Sequence, residues 1–414
     1  MSTHKTPVTS SATRMRRAVT EILSGSGTIS FLSVLLAFVA GGILIAATNA
    51  RVTASLGYFF SRPGDTIAAI GDAVFGAYSA LFQGAVFNFS APDLLTGLRP
   101  LADSLTYATP LIAAGLGVAI AFRAGLFNIG GRGQMLVAAA CSGAIGIAVD
   151  LPYGLHLVVA VLGGVIGGAL WGGIAGYLKA RNGAHEVIVT IMLNYIAFYL
   201  VSYLLRTPGL LQAPGSVNPK TAPMQPTAVF PELLGPGTRL HAGFLLVIAV
   251  TFLAAWFLNR SRLGFTFRAI GENPDAARIA GMKVPRSYLQ IMLISGGLVG
   301  LAGSIQVLGT VTTGFGSGID AAVGFDAITV ALLGRSRPWG VFCAGILFGG
   351  FKAGGFVMQA SQGVSIDIVV VVQALIVLFI AAPPLIRAVF RLPEAPRTVP
   401  RRPRALSPKE SITV

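Results

Sequence analysis

The chain has 414 residues, 54% hydrophobic and only 11% charged, with 30 Lys and Arg against 15 Asp and Glu. Together with a mean hydropathy of +0.76, these proportions exclude a soluble domain and describe an all-α, polytopic integral membrane protein. The net charge of +15 is then a topology signal, and a nucleic-acid partner is not expected.

In chain order, residues 1–28 read as a basic tail carrying Arg14, Arg16 and Arg17. Apolar runs on the scale of a bilayer crossing, about 17–25 residues, follow near 29–48, 101–122, 134–150, 154–178, 187–206, 241–258, 288–308, 326–334, 339–358 and 367–389. They predict about ten transmembrane helices in one membrane-embedded region, 29–389. The 326–334 run is too short to cross unless it is tilted or broken. The first run has small residues at its end, Ala46–Ala50, but is too long for a signal peptide and reads as an uncleaved anchor. Segment 66–89 holds Asp72 and several phenylalanines and reads as an interfacial or partly re-entrant helix. An outer loop is expected at 207–240 and a basic, proline-rich tail at 390–414.

Lys179, Arg181, Arg260, Arg262, Arg268, Arg278, Lys283, Arg286, Arg335, Arg337 and the tail from Arg387 fall on one side if there are ten crossings, which makes that side and both termini cytoplasmic. Arg51 and Arg62 are the main exceptions. The stretch GGVIGGALWGG at 163–173 supplies small-xxx-small faces for close helix packing. Cys141 and Cys343 both lie in apolar runs, so neither a disulfide nor a metal site is indicated, and no cofactor is expected.

The basic loop 259–287 contains a helix with its own punctuation: Asn273 as cap, Pro274 at the first position, Asp275 in the first turn and Gly281 as stop. It reads as a docking element on the cytoplasmic face. LWGGI at 170–174 resembles LFGGF at 347–351, and EVIV at 186–189 resembles DIVV at 367–370. Five crossings separate each pair, which predicts an inverted five-helix repeat, a common transporter architecture.

No carboxylate sits in the middle of a confident span, which disfavours ion coupling, the alternative mechanism of a secondary carrier. No phosphate-binding Walker loop and no nucleophile–base constellation occurs, so the chain is not read as an enzyme. Any energy must come from a separate subunit acting on the cytoplasmic helix.

Four stretches carry a family resemblance: AFRAGLFNIGGRGQ at 121–134, EVIVTIMLNYIA at 186–197, RAIGENPDAARIAGM at 268–282 and GFDAITVALLGRSRPWG at 324–340. The chain resembles permease subunits of binding-protein-dependent ABC importers, in the branch handling branched-chain amino acids, ribose and nucleosides. It is most similar to nucleoside-type permeases; a simple sugar such as ribose is the second reading. Arg132 departs from the subgroup, which more often has an acid there.

The resemblance implies an ABC ATPase subunit, a second permease subunit forming a hetero-dimer, an extracytoplasmic substrate-binding lipoprotein and a small-molecule solute, in the lipid of a bacterial inner membrane. Glu272, Asn273, Pro274, Asp275, Ala276, Ala277 and Gly281 would form the ATPase-coupling helix, with Ala276 and Ala277 as its small docking face. For the solute path, Phe127, Asn128 and Gln134 belong to a glycine-interrupted segment, either re-entrant or a plain cytoplasmic turn. Asn194 is expected either to bond between helices or to join the path with Tyr195, whose ring suits a base. Phe325 and Asp326 are placed near the outer face, toward the lipoprotein or the cavity mouth, and Lys352 lies well inside a span, where it would snorkel outward.

Overall fold

The computed structural model describes residues 26–391 apart from Pro236. The tails predicted at 1–28 and 390–414 lie almost wholly outside them. Among the described residues the chain is helical, with one isolated antiparallel bridge, Glu232 to His241.

The helices are α1 (Ser26–Thr48), α2 (Ala50–Leu56), α3 (Pro63–Ala85), α4 (Leu94–Gly97), α5 (Arg99–Arg123), α6 (Gly131–Ala148), α7 (Leu155–Asn182), α8 (Glu186–Arg206), α9 (Gly243–Arg260), α10 (Arg262–Glu272), α11 (Pro274–Ile279), α12 (Val284–Ile305), α13 (Val323–Leu333), α14 (Pro338–Gln362), α15 (Ile366–Ala381) and α16 (Pro383–Val389). Among the described residues, seven helices are long and apolar enough to cross a membrane, and α15 with α16, bent by 94°, would make eight. The other two runs expected to cross, 134–150 and 326–334, correspond to α6 and α13. With 18 and 11 residues, these extend about 27 and 16 Å.

Two helices form the centre. In the apolar windows of α5 and α12, 83% of residues are buried, against 28% in α8 and α9. The α7–α12 crossing runs on glycine: a Cβ at Gly168 would strike Gly296 and Gly300, and one at Gly300 would strike Gly164. The 163–173 stretch thus acts as the small face that its spacing predicts, letting backbones approach where lipid offers little hydrophobic drive. On the other flank α14 lies against α5, with Gly345 at Ile112 and Gly349 at Ser104 and Ala108.

Helix α3 runs along only part of α14. Gly76 faces Gln362 and Gly84 faces Gly354, after which Ser104 Oγ donates to Ala85 O at 2.6 Å and the chain turns back through 86–98 into α5. The helix therefore meets α14 from its C-terminal end to its middle and returns.

Candidate functional site

At one end of the bundle, Ser261 and Asn273 cap two successive short helices. Ser261 Oγ accepts from Gly264 N at 2.9 Å; Asn273 Oδ1 accepts from Asp275 N and Ala276 N at 3.0 Å each. Pro274 occupies the first helical position, Arg278 reaches Asp275 at 3.3 Å, and Gly281 follows with φ +84°. The loop is seated on the bundle by Gly271, whose Cα lies so close to the Arg123 and Ala124 backbone that no side chain fits. Ile270, Ala277 and Val284 form a small core beneath it.

That core corrects one expectation. Ala277 is 4% exposed and packs inward, so it is not part of an outward docking face. The exposed surface comprises Glu272, Asn273, Pro274, Asp275, Ala276 and Gly281, together with Ile279, which is 90% exposed. An isoleucine left in solvent on an otherwise well-capped turn was not picked out from the sequence.

From the same end the chain climbs back into the bundle after α5. Lys179 Nζ pairs with Glu186 at 2.6 Å, and Glu186 Oε1 also accepts from Phe127 N at 3.4 Å, tying this segment to α7 and α8. Asn128 is fully buried. Its Nδ2 donates to Ser295 Oγ at 2.8 Å and to Gln134 Oε1 at 3.0 Å, while its Oδ1 accepts from Gly130 N and Gln134 Nε2. Ser295 Oγ in turn donates to Gly117 O at 2.7 Å. Asn194, the ninth of 21 residues in α8, takes Gly133 N on Oδ1 at 2.8 Å and gives Nδ2 to Ile129 O at 3.0 Å.

The segment therefore enters the bundle and is not a turn at its end: α6 starts level with Asn194, about 12 Å inside α8. Its amides are spent. Asn128, Gln134 and Asn194 fasten a helix break to α8 and α12, which is the interhelical role and leaves them turned away from any solute in this conformation. Tyr195 is 57% and Phe127 54% exposed, so these two remain open.

A second break mirrors the first. After the π-helical turn Gln306–Thr310 the chain leaves the helix and passes through a turn over 317–322 that ends in a left-handed pair, Ala321 and Ala322, and α13 begins. Gly324 sits directly on the backbone of Gly131 and Arg132, so α6 and α13 start at one point midway along the spans. Phe325 and Asp326, in the first turn of α13, consequently lie at this crossing and not at an outer mouth.

Four charges surround the crossing. Arg132 Nε lies 3.4 Å from Asp320 Oδ2, and the Arg132 guanidinium rests 5.1 Å from the Phe198 ring centroid. Lys352 does not snorkel: its Nζ donates to Ala321 O at 2.7 Å, within electrostatic reach of Asp326 and Asp320. The carboxylates that sequence reading placed outside the spans thus enter the interior on broken segments, each beside a cation. Arg132 and Lys352 stand out in sequence by sign and depth; Asp320 and Ser295 do not, because their setting depends on chain crossings far apart in sequence.

The Arg132 side chain is 31% exposed. At the centre of a bilayer an arginine costs about 2.5–3.5 kcal/mol even on the most lenient scale, so it faces protein or a water-filled cavity. Beside it on α8, Tyr195, Tyr199 and Tyr203 form an exposed stripe. A cavity of 1080 Å³ lies elsewhere: Asn49, Arg51, Asp65, Asp72 and Gln362 line it at the end away from α11, and none of the sequence-predicted site residues takes part.

Comparison with known proteins identifies the family. Residues 101–381 match the family described as branched-chain amino acid transport system / permease component. The chain is 38% identical over 321 residues to the guanosine ABC transporter permease protein NupP of Bacillus subtilis, covering 77% of this chain and 89% of the relative. It is 34% identical to the glucose ABC transporter permease protein TsgB13 of Haloferax volcanii, over 70% of this chain and 77% of the relative. It is 32% identical to the nucleoside ABC transporter permease protein NupB of Lactococcus lactis, over 69% and 80%. Bacillus subtilis and Lactococcus lactis each contribute a second, more distant permease relative, NupQ and NupC. No solved structure matches significantly. The glycine-seated, doubly broken bundle described here belongs to the branched-chain amino acid transport system permease family, and the chain is a membrane-spanning, non-enzymatic permease subunit of an ABC transporter.

Proposed function

We propose that this permease carries a nucleoside into the cell, driven by an ATPase subunit that docks on α10 and α11. The observation that carries the solute assignment is the 38% identity to a guanosine permease across 77% of the chain. The exposed aromatic stripe Tyr195, Tyr199 and Tyr203 supports it, because an aromatic face holds a flat base without demanding one sequence of hydrogen bonds. A glucose-type solute is the second reading, favoured by the 34% identity to TsgB13.

In this reading a second, non-identical permease covers the α8 face, as the pairs NupP with NupQ and NupB with NupC suggest. A substrate-binding lipoprotein delivers the solute at the end away from α11. The basic loops, both termini and α11 are cytoplasmic, in a bacterial inner membrane. The five-helix repeat is supported by reciprocal packing: α5 lies on α14 as α7 lies on α12, and α6 contacts α12 as α13 contacts α5.

The test is reconstitution of this chain with its ATPase, second permease and lipoprotein in proteoliposomes containing ATP on the ATPase side. Labelled guanosine should accumulate and labelled glucose or ribose should not. Sugar accumulation without nucleoside uptake selects the second reading, and uptake driven by an ion gradient without ATP would refute both.

A further inference from the structure

We propose that Arg132 is a solute-reading residue of the path and selects 6-oxopurine nucleosides over 6-aminopurine nucleosides. The proposal rests on the nucleoside reading above and deepens it.

Arg132 is held by its surroundings without being used up by them. Phe198 supports the plane of the guanidinium from one side at 5.1 Å. Asp320, itself 4% exposed, balances the charge, yet its Oδ2 stands 3.4 Å from Nε, and Nε makes no hydrogen bond. Nε is buried, so the donors left to a solute are those at the Nη end of the planar fork. Its side chain is 31% exposed, and what it opens onto is aromatic. Phe198 meets Tyr199 edge-on at 5.5 Å, Tyr199 and Tyr195 are 68% and 57% exposed, and Phe325 is 45% exposed one residue beyond the Gly324 that backs onto Arg132.

This combination sets the ligand chemistry. Aromatic faces beside an arginine fork suit a flat heterocycle that stacks and presents two adjacent acceptors. A 6-oxopurine presents O6 and N7, which a guanidinium meets with two parallel hydrogen bonds. A 6-aminopurine presents N7 beside an amino donor, so one arginine N–H would face another donor. A sugar has no π-face to stack. The discrimination expected from one such bidentate contact is about tenfold. A lysine at this position would supply charge without the fork.

The experiment uses the full reconstituted complex with its lipoprotein saturated separately with guanosine and with adenosine, so that capture does not set the ratio. Initial uptake rates are compared for wild type, Arg132→Gln, Arg132→Lys and Asp320→Asn, alongside solute-independent ATP hydrolysis. Arg132→Gln and Arg132→Lys should lower the guanosine-to-adenosine ratio about tenfold. Asp320→Asn should preserve the ratio, since Arg132 retains its fork. Equal loss of both nucleosides in Arg132→Gln, an unchanged ratio, or the same shift in Asp320→Asn would overturn the proposal by making the residue a structural latch or a bystander. A wild-type complex that carries neither nucleoside sinks the nucleoside reading itself, a result distinct from an unchanged ratio in a complex that carries both.

Discussion

Lys352 Nζ donates to the carbonyl of Ala321 at 2.7 Å, joining the middle of α14 to a left-handed turn 31 residues earlier. Arg123 Nε does the same for Ser336 O at 3.1 Å, at the far end of α13. The short helix is thus bracketed by two left-handed pairs, Ala321–Ala322 and Arg335–Ser336, each with a carbonyl held by a cation from a neighbouring helix. Non-glycine residues in that conformation persist only when their surroundings over-determine them.

Replacing Lys352 by Met should therefore free the Ala321 turn and leave Asp326 and Asp320 with one fewer cation. A charged hydrogen bond contributes about 1.5–3 kcal/mol, so the purified protein should unfold several degrees lower in detergent, with Lys352→Arg losing less. An unchanged melting temperature for Lys352→Met would show that the turn holds without it.

On α11, the inward position of Ala277 and the outward position of Ile279 make opposite predictions. Ile279→Glu should leave folding intact and abolish co-purification of the ATPase. Ala277→Asp should instead place a charge in the Ile270–Val284 core and lower stability by about 2–3 kcal/mol, read as protease sensitivity of the 262–283 loop. Ile279→Glu that retains full ATPase binding would remove this face from the docking surface.

Asn273 supplies a two-pronged cap to α11. Asn273→Ala should cost about 1 kcal/mol locally and reduce solute-coupled ATP hydrolysis, while Asn273→Asp or Asn273→Ser restores most of it. Failure of those two to rescue would mean that the amide is needed for something besides capping.

Gly324 has no room for a side chain against Arg132 and Gly131. Gly324→Ala should force the two breaks apart and lose uptake while α11 still recruits the ATPase. Retained uptake would show that the crossing gives way at little cost.

His241 is buried against Phe230 and Gly309, and burial pushes its pKa down to about 4 from 6.5. The folded state therefore holds it neutral while the unfolded chain protonates it. Its contribution is complete above about pH 6.5 and is lost progressively as pH falls toward 4. His241→Gln should flatten the acid limb of the melting-temperature profile between those values. A wild-type profile equally flat across that range would contradict the neutral assignment.

The sequence by itself determined the class, the positions of the main helices and the capped helix of the 259–287 loop. These follow from local physics: apolar run length, the spacing of Gly163–Gly173, and the Asn273-Pro274 start with its Gly281 stop. It also singled out the break at 127–134, since glycines interrupt a helix wherever they fall.

Only the tertiary structure decided what those residues face. Whether Asn128 meets Ser295, whether Ala277 points inward, and whether Asp320 stands beside Arg132 depend on contacts between positions far apart in sequence. A buried amide's choice between a solute and a neighbouring helix is made by which partner the packing brings within hydrogen-bond distance. Helical periodicity carries no record of that meeting.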